Sequence, residues 1–222
     1  MHKISLSLWI VVATVLVHPL FAQDPSNARL QQVAHDGMYA YLDKIPVAQI
    51  REYGFNSSAE FSKITTGTPI RMKKIDPAFN SEHQIIPGRD YIINNNEWRV
   101  PLVVNGEYRA FISVIKDKSG ALRCVDFGAS DLAREIGKIS TDNKLQHLSI
   151  LRLHSLNCDM LMLDKGLNNK SAKPGFIALS SARNTNLFPS NVSKTAQLQP
   201  LEKAALLSII RDAQTARKQN TQ

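Results

Sequence analysis

The segment from Trp98 to Phe127 constrains the fold more than any other part of this chain. Two apolar runs flank Asn105 and Gly106, a pair that suits a two-residue turn because both positions of such a turn need positive φ. A third apolar run follows the polar residues 117–120. The pattern predicts three antiparallel strands in a meander, and both faces are apolar enough to be covered. We expect an α+β fold in which helices flank this meander and a C-terminal amphipathic helix packs on the sheet.

The two-residue turn also predicts a register for the first two strands. It pairs Val104 with Glu107, Leu102 with Arg109 and Val100 with Phe111. The other face of the sheet would then carry Val103, Tyr108, Ala110, Ile112 and Val114. Pro101 does not suit a central strand, because it has no N–H to donate and favours an edge or a bulge.

Other elements are indicated by helical or alternating spacing of apolar residues. Ser57 and Glu60 form a capping-box pattern that opens a short helix. Alternation predicts a strand over residues 68–75, where Ile70 and Met72 face away from Arg71 and Lys73. Residues 76–96 lose this periodicity and are predicted to form a long loop. Further helices are predicted at 28–43, 130–139 and 200–216, and further strands at 148–153, 160–163 and 176–180.

The first residues of the chain predict export. His2 and Lys3 precede an apolar run over residues 4–17, and Ala22 provides a small residue for cleavage. The alternative is an uncleaved anchor, but the run is shorter than the roughly 20 residues that a spanning helix needs. We therefore expect a signal peptide at 1–22, a periplasmic or secreted location, and no stable membrane insertion after cleavage. Residues 23–140 would form an N-terminal α+β part, and residues 141–222 would add C-terminal strands and a helix to the same compact domain.

Export changes the interpretation of the two cysteines. Cys124 and Cys158 both follow the predicted cleavage site, and an oxidising compartment permits a disulfide between them. The alternative is two buried thiols, which behave as small apolar side chains. We expect the disulfide.

Sites for catalysis or metal binding are hard to assemble from this sequence. His147, His154, Cys158 and Asp159 come close in sequence but supply too few converging ligands for a closed metal site. Ser113 and Lys116 match a Ser-x-x-Lys string, yet they lie on a predicted strand and would face opposite ways. Cys124 as a nucleophile would need exposure and a neighbouring base. We expect no metal and no cofactor.

The turn from Asp126 to Asp131 leads into a helix N-terminus, where anions can bind. Asp131 already places a negative charge there, so helix capping, with Ser130 as the cap, is the preferred interpretation. Asp126 and Asp131 could also be paired carboxylates for acid–base work, although nothing else in the sequence supports this role.

The chain is basic, with 27 lysine and arginine residues against 19 aspartate and glutamate residues. These charges are scattered and are not interleaved with aromatic residues, and the chain is predicted to be exported, so we do not expect nucleic acid as a partner. The leading hypothesis is an exported, non-enzymatic domain that binds a protein or another macromolecule of the cell envelope or extracellular space. Its predicted contact residues lie in and beside the 76–96 loop: Arg71, Lys73, Lys74, His83, Arg89 and Tyr91. The alternative is a secreted or periplasmic hydrolase whose site is assembled from distant residues.

Overall fold

The computed structural model describes residues 24–79, 86, 89–164, 174–185 and 201–219 of the 222. The predicted signal peptide lies outside these residues, as does His83. The described α-helices are α1 (Asn27–Leu42), α2 (Ser130–Asp142), α3 (Ser180–Arg183) and α4 (Lys203–Gln219). The described strands are β1 (Thr65–Thr66), β2 (Ile70–Ile75), β3 (Ile92–Val104), β4 (Glu107–Lys116), β5 (Leu122–Gly128), β6 (Leu148–Leu153), β7 (Cys158–Leu163), β8 (Gly175–Ala178) and β9 (Leu201–Glu202).

Within the described residues, all nine strands belong to one sheet. Its order is β5-β4-β3-β2-β6-β7-β8-β9, and β1 pairs with β3 beside β2. Every pairing is antiparallel except the one between β2 and β6, which is parallel. The predicted mixture of helices with a largely antiparallel sheet is therefore confirmed. The parallel pairing, which joins the strands before residue 140 to those after it, has no counterpart in the sequence predictions.

The meander is present, but its register differs from the predicted one beyond the turn. Val104 lies opposite Glu107 as predicted, whereas Leu102 lies opposite Ala110 instead of Arg109. The pairing shifts because Arg109 is an extra residue on β4, which makes a bulge. Beyond the bulge each residue of β4 changes face, so Val100 lies opposite Ile112 and Phe111 turns to the other side of the sheet.

Pro101 lies inside β3, where the sequence predicted an edge or a bulge. Its carbonyl oxygen accepts a hydrogen bond of 2.8 Å from the N–H of Gly67. In an antiparallel strand the N–H and C=O of one residue point to the same neighbour. The missing donor of Pro101 therefore faces the break between β1 and β2, where the chain leaves the ladder at Gly67.

Three apolar clusters cover the sheet. On one face, α1 packs against β3, β4 and β5, and α4 packs against β6, β7 and β8. On the other face, α2 packs against β4, and its cluster extends across β2 and β6–β8. The four fully or nearly buried residues of α1 recur at helical spacing: Leu30, Ala34, Met38 and Leu42. The buried residues of α4 follow the same rule: Leu206, Leu207, Ile210 and Ala213.

Several predicted boundaries are corrected by the structure. Asn94, Asn95 and Asn96 belong to β3 rather than to a loop, because pairing with β2 extends the strand back to Ile92. Residue Leu201 pairs with Phe176 as a strand instead of starting the last helix.

Two predicted helix starts also differ from the structure. The helix predicted after Ser57 is a 3₁₀ segment, Ser58–Lys63, in which Glu60 accepts from the N–H of Asn56. Ser130 does not cap α2, since its hydroxyl donates to the carbonyl oxygen of Glu52 at 2.9 Å.

Both cysteines lie within the described residues, and no disulfide joins them. Cys124 is on β5 and Cys158 is on β7, with four strands between them in the sheet. Five strand spacings of about 4.8 Å separate the two strands by roughly 24 Å, whereas the Cα atoms of a disulfide lie within about 7 Å of each other. The predicted disulfide is therefore replaced by the alternative of two separate buried or half-buried thiols.

Candidate functional site

A cleft of about 640 Å³ opens over β2 and the ends of its neighbouring strands. Its size is in the range of sites that hold small organic groups. Five parts of the chain line it: residues 24–27 at the start of α1, residues 68–73, parts of β3 and β4, residues 140–149, and Asp164 after β7. The lining residues are Asp24, Pro25, Asn27, Thr68, Pro69, Ile70, Arg71, Lys73, Asn94, Trp98, Tyr108, Ser140, Leu145, Gln146, His147, Leu148, Ser149 and Asp164.

The position of the cleft follows from how the helices cover the sheet. Arg71 lies opposite Trp98 on β3 and beside Ser149 on β6, so these three side chains share one face. Lys73 is paired with Leu151 on the same face. Trp98 belongs to the cluster under α1, and Leu151 belongs to the cluster under α4. The polar face of β2 therefore lies between two helix-covered parts of the sheet.

Arg71 lies over the ring of Trp98 in the lining of the cleft. Its guanidinium carbon lies 4.9 Å from the ring centroid of Trp98, and its side chain is only 18% exposed. A cation over an indole face is stabilised by about 0.5–2 kcal/mol, depending on how far it is desolvated. The Nη1 of Arg71 also donates to the carboxylate of Asp24, whose side chain is 61% exposed. The carboxylate that contacts Arg71 therefore comes from the segment before α1, which lies outside the sheet.

A second ion pair crosses the cleft beside the first. The Nζ of Lys73 lies 3.3 Å from Oδ1 of Asp164. The hydroxyl of Ser149 contacts both carboxylate oxygens of Asp164, at 3.2 and 3.0 Å. The backbone N–H of Asp164 donates to the carbonyl oxygen of His147 at 3.1 Å. This carboxylate is therefore fixed by a lysine, a serine and its own backbone.

The protonation of two groups in the cleft is shifted by their surroundings. The hydrogen bond from Arg71 lowers the pKa of Asp24, so this carboxylate stays charged at neutral pH. Burial raises the pKa of Tyr108, which keeps its hydroxyl neutral. Arg71 is consequently matched by an ionised carboxylate, that of Asp24.

Ser149, His147 and Asp164 line the same cleft, but their contacts do not form a nucleophile with its base. In such a set the hydroxyl bonds to an imidazole, and the carboxylate orients that imidazole. Here the hydroxyl of Ser149 bonds to Asp164 directly, and Ser149 is only 2% exposed. The carboxylate is shared with Lys73 instead of orienting a ring.

Other candidate sites from the sequence are dispersed. Burial raises the pKa of Cys124, and its thiol donates to the carbonyl oxygen of Val33 at 3.2 Å, so it is not an activated nucleophile. Ser113 is buried on β4, where residues three apart face opposite sides. No group of three or more His, Cys, Asp or Glu side chains within the described ranges is placed to hold a metal ion.

The structure brings together two of the predicted contact residues, Arg71 and Lys73. Lys74 follows Lys73 on the strand and faces the opposite side. The guanidinium carbon of Arg89 lies 5.1 Å from the ring centroid of Tyr91, and its Nη2 lies 3.4 Å from Oδ2 of Asp76. Arg89 is not part of the cleft lining. Tyr91 is buried in the cluster under α4 and accepts from the N–H of residue 86.

The partners of Arg71 and Lys73 in the cleft are missing from the sequence prediction. The sequence pattern marks Trp98 only as the start of a strand, and it predicts no role for Asp24, Ser149 or Asp164. A cross-strand register for β2 with β3 and β6 would have placed Trp98 and Ser149 beside Arg71. Asp24 and Asp164 lie outside strands, and no local pattern marks them.

Comparison with protein-family models, with curated proteins and with solved structures gives no match for this chain. In the part of the chain that the structure describes, none of the helices is both long enough and apolar enough to cross a membrane.

Proposed function

We propose that the protein is an exported, non-enzymatic binding protein of the cell envelope or extracellular space, and that its macromolecular partner inserts a group into the cleft over β2. The observation that carries this proposal is the placement of Arg71 over the buried ring of Trp98 in the cleft lining. An arginine held over an aromatic ring is a restrained donor, and it loses less conformational freedom than a free side chain when a ligand binds. The ion pairs of Arg71 with Asp24 and of Lys73 with Asp164 support the proposal, because they place charged groups that a ligand can contact in the cleft.

The alternative is a hydrolase, and the specific observation for it is that His147 and Ser149 line the same cleft. The contacts of Ser149 favour a binding protein over a hydrolase, because its hydroxyl donates to the carboxylate of Asp164. Hydrolysis of a model ester that falls in a Ser149→Ala variant would support the hydrolase instead.

The binding proposal is tested by filling the cleft without touching the core. Thr68 is an exposed residue of the cleft lining, and Thr65 is an exposed threonine nearby that does not line it. We expect Thr68→Trp to lose a partner that the wild-type protein retains from an envelope extract, and Thr65→Trp to retain it. Retained proteins are identified by mass spectrometry after thermal melts have shown that both variants fold. Recovery of the same partner by both variants would place the binding surface elsewhere.

Export is tested on protein from the native host by sequencing its N-terminus. The proposal expects the mature chain to begin at or next to Gln23, because Ala22 ends the predicted cleavage motif. Retention of Met1 in a membrane fraction would contradict it.

A further inference from the structure

We propose that the group bound in the cleft is a carboxylate held by Arg71, and that Asp24 occupies this position when the ligand is absent. This inference rests on the proposed function, because it names the chemistry that a ligand of the cleft would carry. The carboxylate could belong to an acidic side chain or to a chain terminus, and these sources share the chemistry that Arg71 recognises.

Arg71 is already arranged to hold a planar anion. Its guanidinium is fixed from one side by Trp98, and it presents Nη1 to a carboxylate in the structure itself. The contact with Asp24 uses one nitrogen and one oxygen. Arginine is suited to carboxylates because its donors lie in one plane and can match both oxygens. Lys73, in contrast, carries a point charge that already forms an ion pair with Asp164.

The two carboxylates of the cleft differ in how firmly they are held. Asp164 is fixed by Lys73, by two contacts from Ser149 and through its backbone N–H. Asp24 precedes α1, is 61% exposed, and has Arg71 as its hydrogen-bond partner. Released from Arg71, Asp24 would be solvated at little cost because most of its side chain already faces water. Asp24 is therefore the carboxylate that a ligand can replace.

The charges of the cleft favour a singly charged anion. Arg71 and Lys73 are the cationic side chains of the lining, and Asp24 and Asp164 balance them. A ligand carboxylate that displaces Asp24 restores the same balance. A doubly charged phosphate in the same place would leave an excess negative charge next to Asp164, which costs free energy at short range.

The rest of the lining suits an organic acid rather than a bare ion. Apolar surface comes from Pro25, Pro69, Leu145 and Leu148, and side-chain amides come from Asn27, Asn94 and Gln146. The former can pack against a carbon skeleton, and the latter can donate to or accept from a peptide group.

The chain contains two tryptophans, and Trp9 lies in the predicted signal peptide, so the mature chain that the proposed function expects has Trp98 as the reporter of the cleft. We would titrate this protein with acetate at constant ionic strength maintained with chloride, and record the emission of Trp98. We expect a saturable response, with the half-saturating acetate concentration about fivefold lower in Asp24→Asn, since the internal competitor is removed. In Arg71→Lys it should be at least about tenfold higher, because lysine keeps the charge but loses the planar donors and the stacking.

Asp131→Asn is the matched control, since Asp131 pairs with Arg134 on an exposed helix surface away from the cleft. It should titrate like the parent. N-acetylglutamate α-amide and N-acetylalanine then identify whether a side-chain or a terminal carboxylate binds more tightly, and preference for either supports the proposal. Equal acetate titrations of the parent and Asp24→Asn would overturn the displacement by Asp24. Tighter binding of inorganic phosphate than of acetate, or no saturable response in any variant, would overturn the carboxylate assignment.

This test can fail without the proposed function failing. Suppose that Thr68→Trp loses the partner while the parent and Asp24→Asn give the same acetate titration. This result would support the cleft as the binding site and contradict the displacement of Asp24 by a ligand carboxylate. A partner retained by Thr68→Trp would reject the binding cleft itself.

Discussion

The packing of α1 against β5 predicts a strong coupling between Gly37 and Cys124. A Cβ atom added at Gly37 would lie 2.4 Å from the Sγ of Cys124 and 3.0 Å from its Cβ. Alanine in a helix interior is favoured over glycine by about 0.5–1 kcal/mol, whereas forcing extra volume into a packed contact costs about 1–3 kcal/mol. We therefore expect Gly37→Ala to lower the free energy of unfolding by about 1–2 kcal/mol.

Removing the sulfur should relieve most of this cost. In a Cys124→Ala background the nearer of the two contacts disappears, and only the 3.0 Å contact with Cβ remains. We expect Gly37→Ala to cost about 1–2 kcal/mol less in this background than in the wild type, a coupling within the range seen for residues in contact. The measurement is a double-mutant cycle by urea denaturation, with the midpoint and slope fitted for each of the four proteins.

Gly137 provides the control for this cycle. It lies in α2 on the other face of the sheet, where an added Cβ would lie 2.9 Å from Cγ of Tyr108. Gly137→Ala should cost the same with and without Cys124, within about 0.5 kcal/mol. If Gly37→Ala cost the same in both backgrounds, α1 would not rest on Cys124 as the structure shows.

Two further predictions concern the meander turn and the acid stability of the protein. Gly106 has a φ of 80°, and an added Cβ would meet nothing within 4 Å. Gly106→Val should therefore lower the free energy of unfolding by about 1–3 kcal/mol through backbone strain alone, and an unchanged thermal melt would refute the turn. The hydrogen bond from the N–H of Asn56 lowers the pKa of Glu60 below its ordinary value of 4.5. Because the folded-state pKa is the lower one, this carboxylate contributes stability above pH 4.5 that is lost as the pH falls through its folded-state pKa. The stability difference between wild type and Glu60→Gln should shrink over that acid range in urea titrations, and a constant difference would contradict the assigned shift.

Local signals in the sequence were sufficient to predict the turn but not the register beyond it. Asn105 and Gly106 have the positive φ values of a two-residue loop, and Val104 pairs with Glu107 as the loop requires. The shift at Arg109 was not predictable from alternation, because apolar residues occupy consecutive positions on β4 after it. When both registers bury apolar side chains, the hydrophobic pattern does not distinguish them. The packing of α1 and α2 on opposite faces of the sheet selects the observed register of β3 and β4.

The parallel pairing of β2 with β6 is the part of the fold that sequence reasoning missed altogether. Arg71 is paired with Ser149 across a long stretch of chain that includes the whole meander. Neither strand carries a local mark of its partner, since strand propensity reports a half-buried pleated surface and not a neighbour. The same limitation applies to the cysteines, because an export signal permits a disulfide but does not bring two strands together.

The alternation on β2 nevertheless contained the information that locates the cleft. Ile70 and Met72 pack in the cluster of α2, whereas Arg71 and Lys73 face the other side. Because β2 is an inner strand, covering that side with a helix would bury two cations, and desolvation costs several kilocalories per mole for each buried ion. The chain instead leaves a gap between the cover of α1 and the cover of α4, and pairs each cation with an aspartate at its rim. A strand with two cations on one face, once assigned to the interior of a sheet, thus requires an open polar cleft above it.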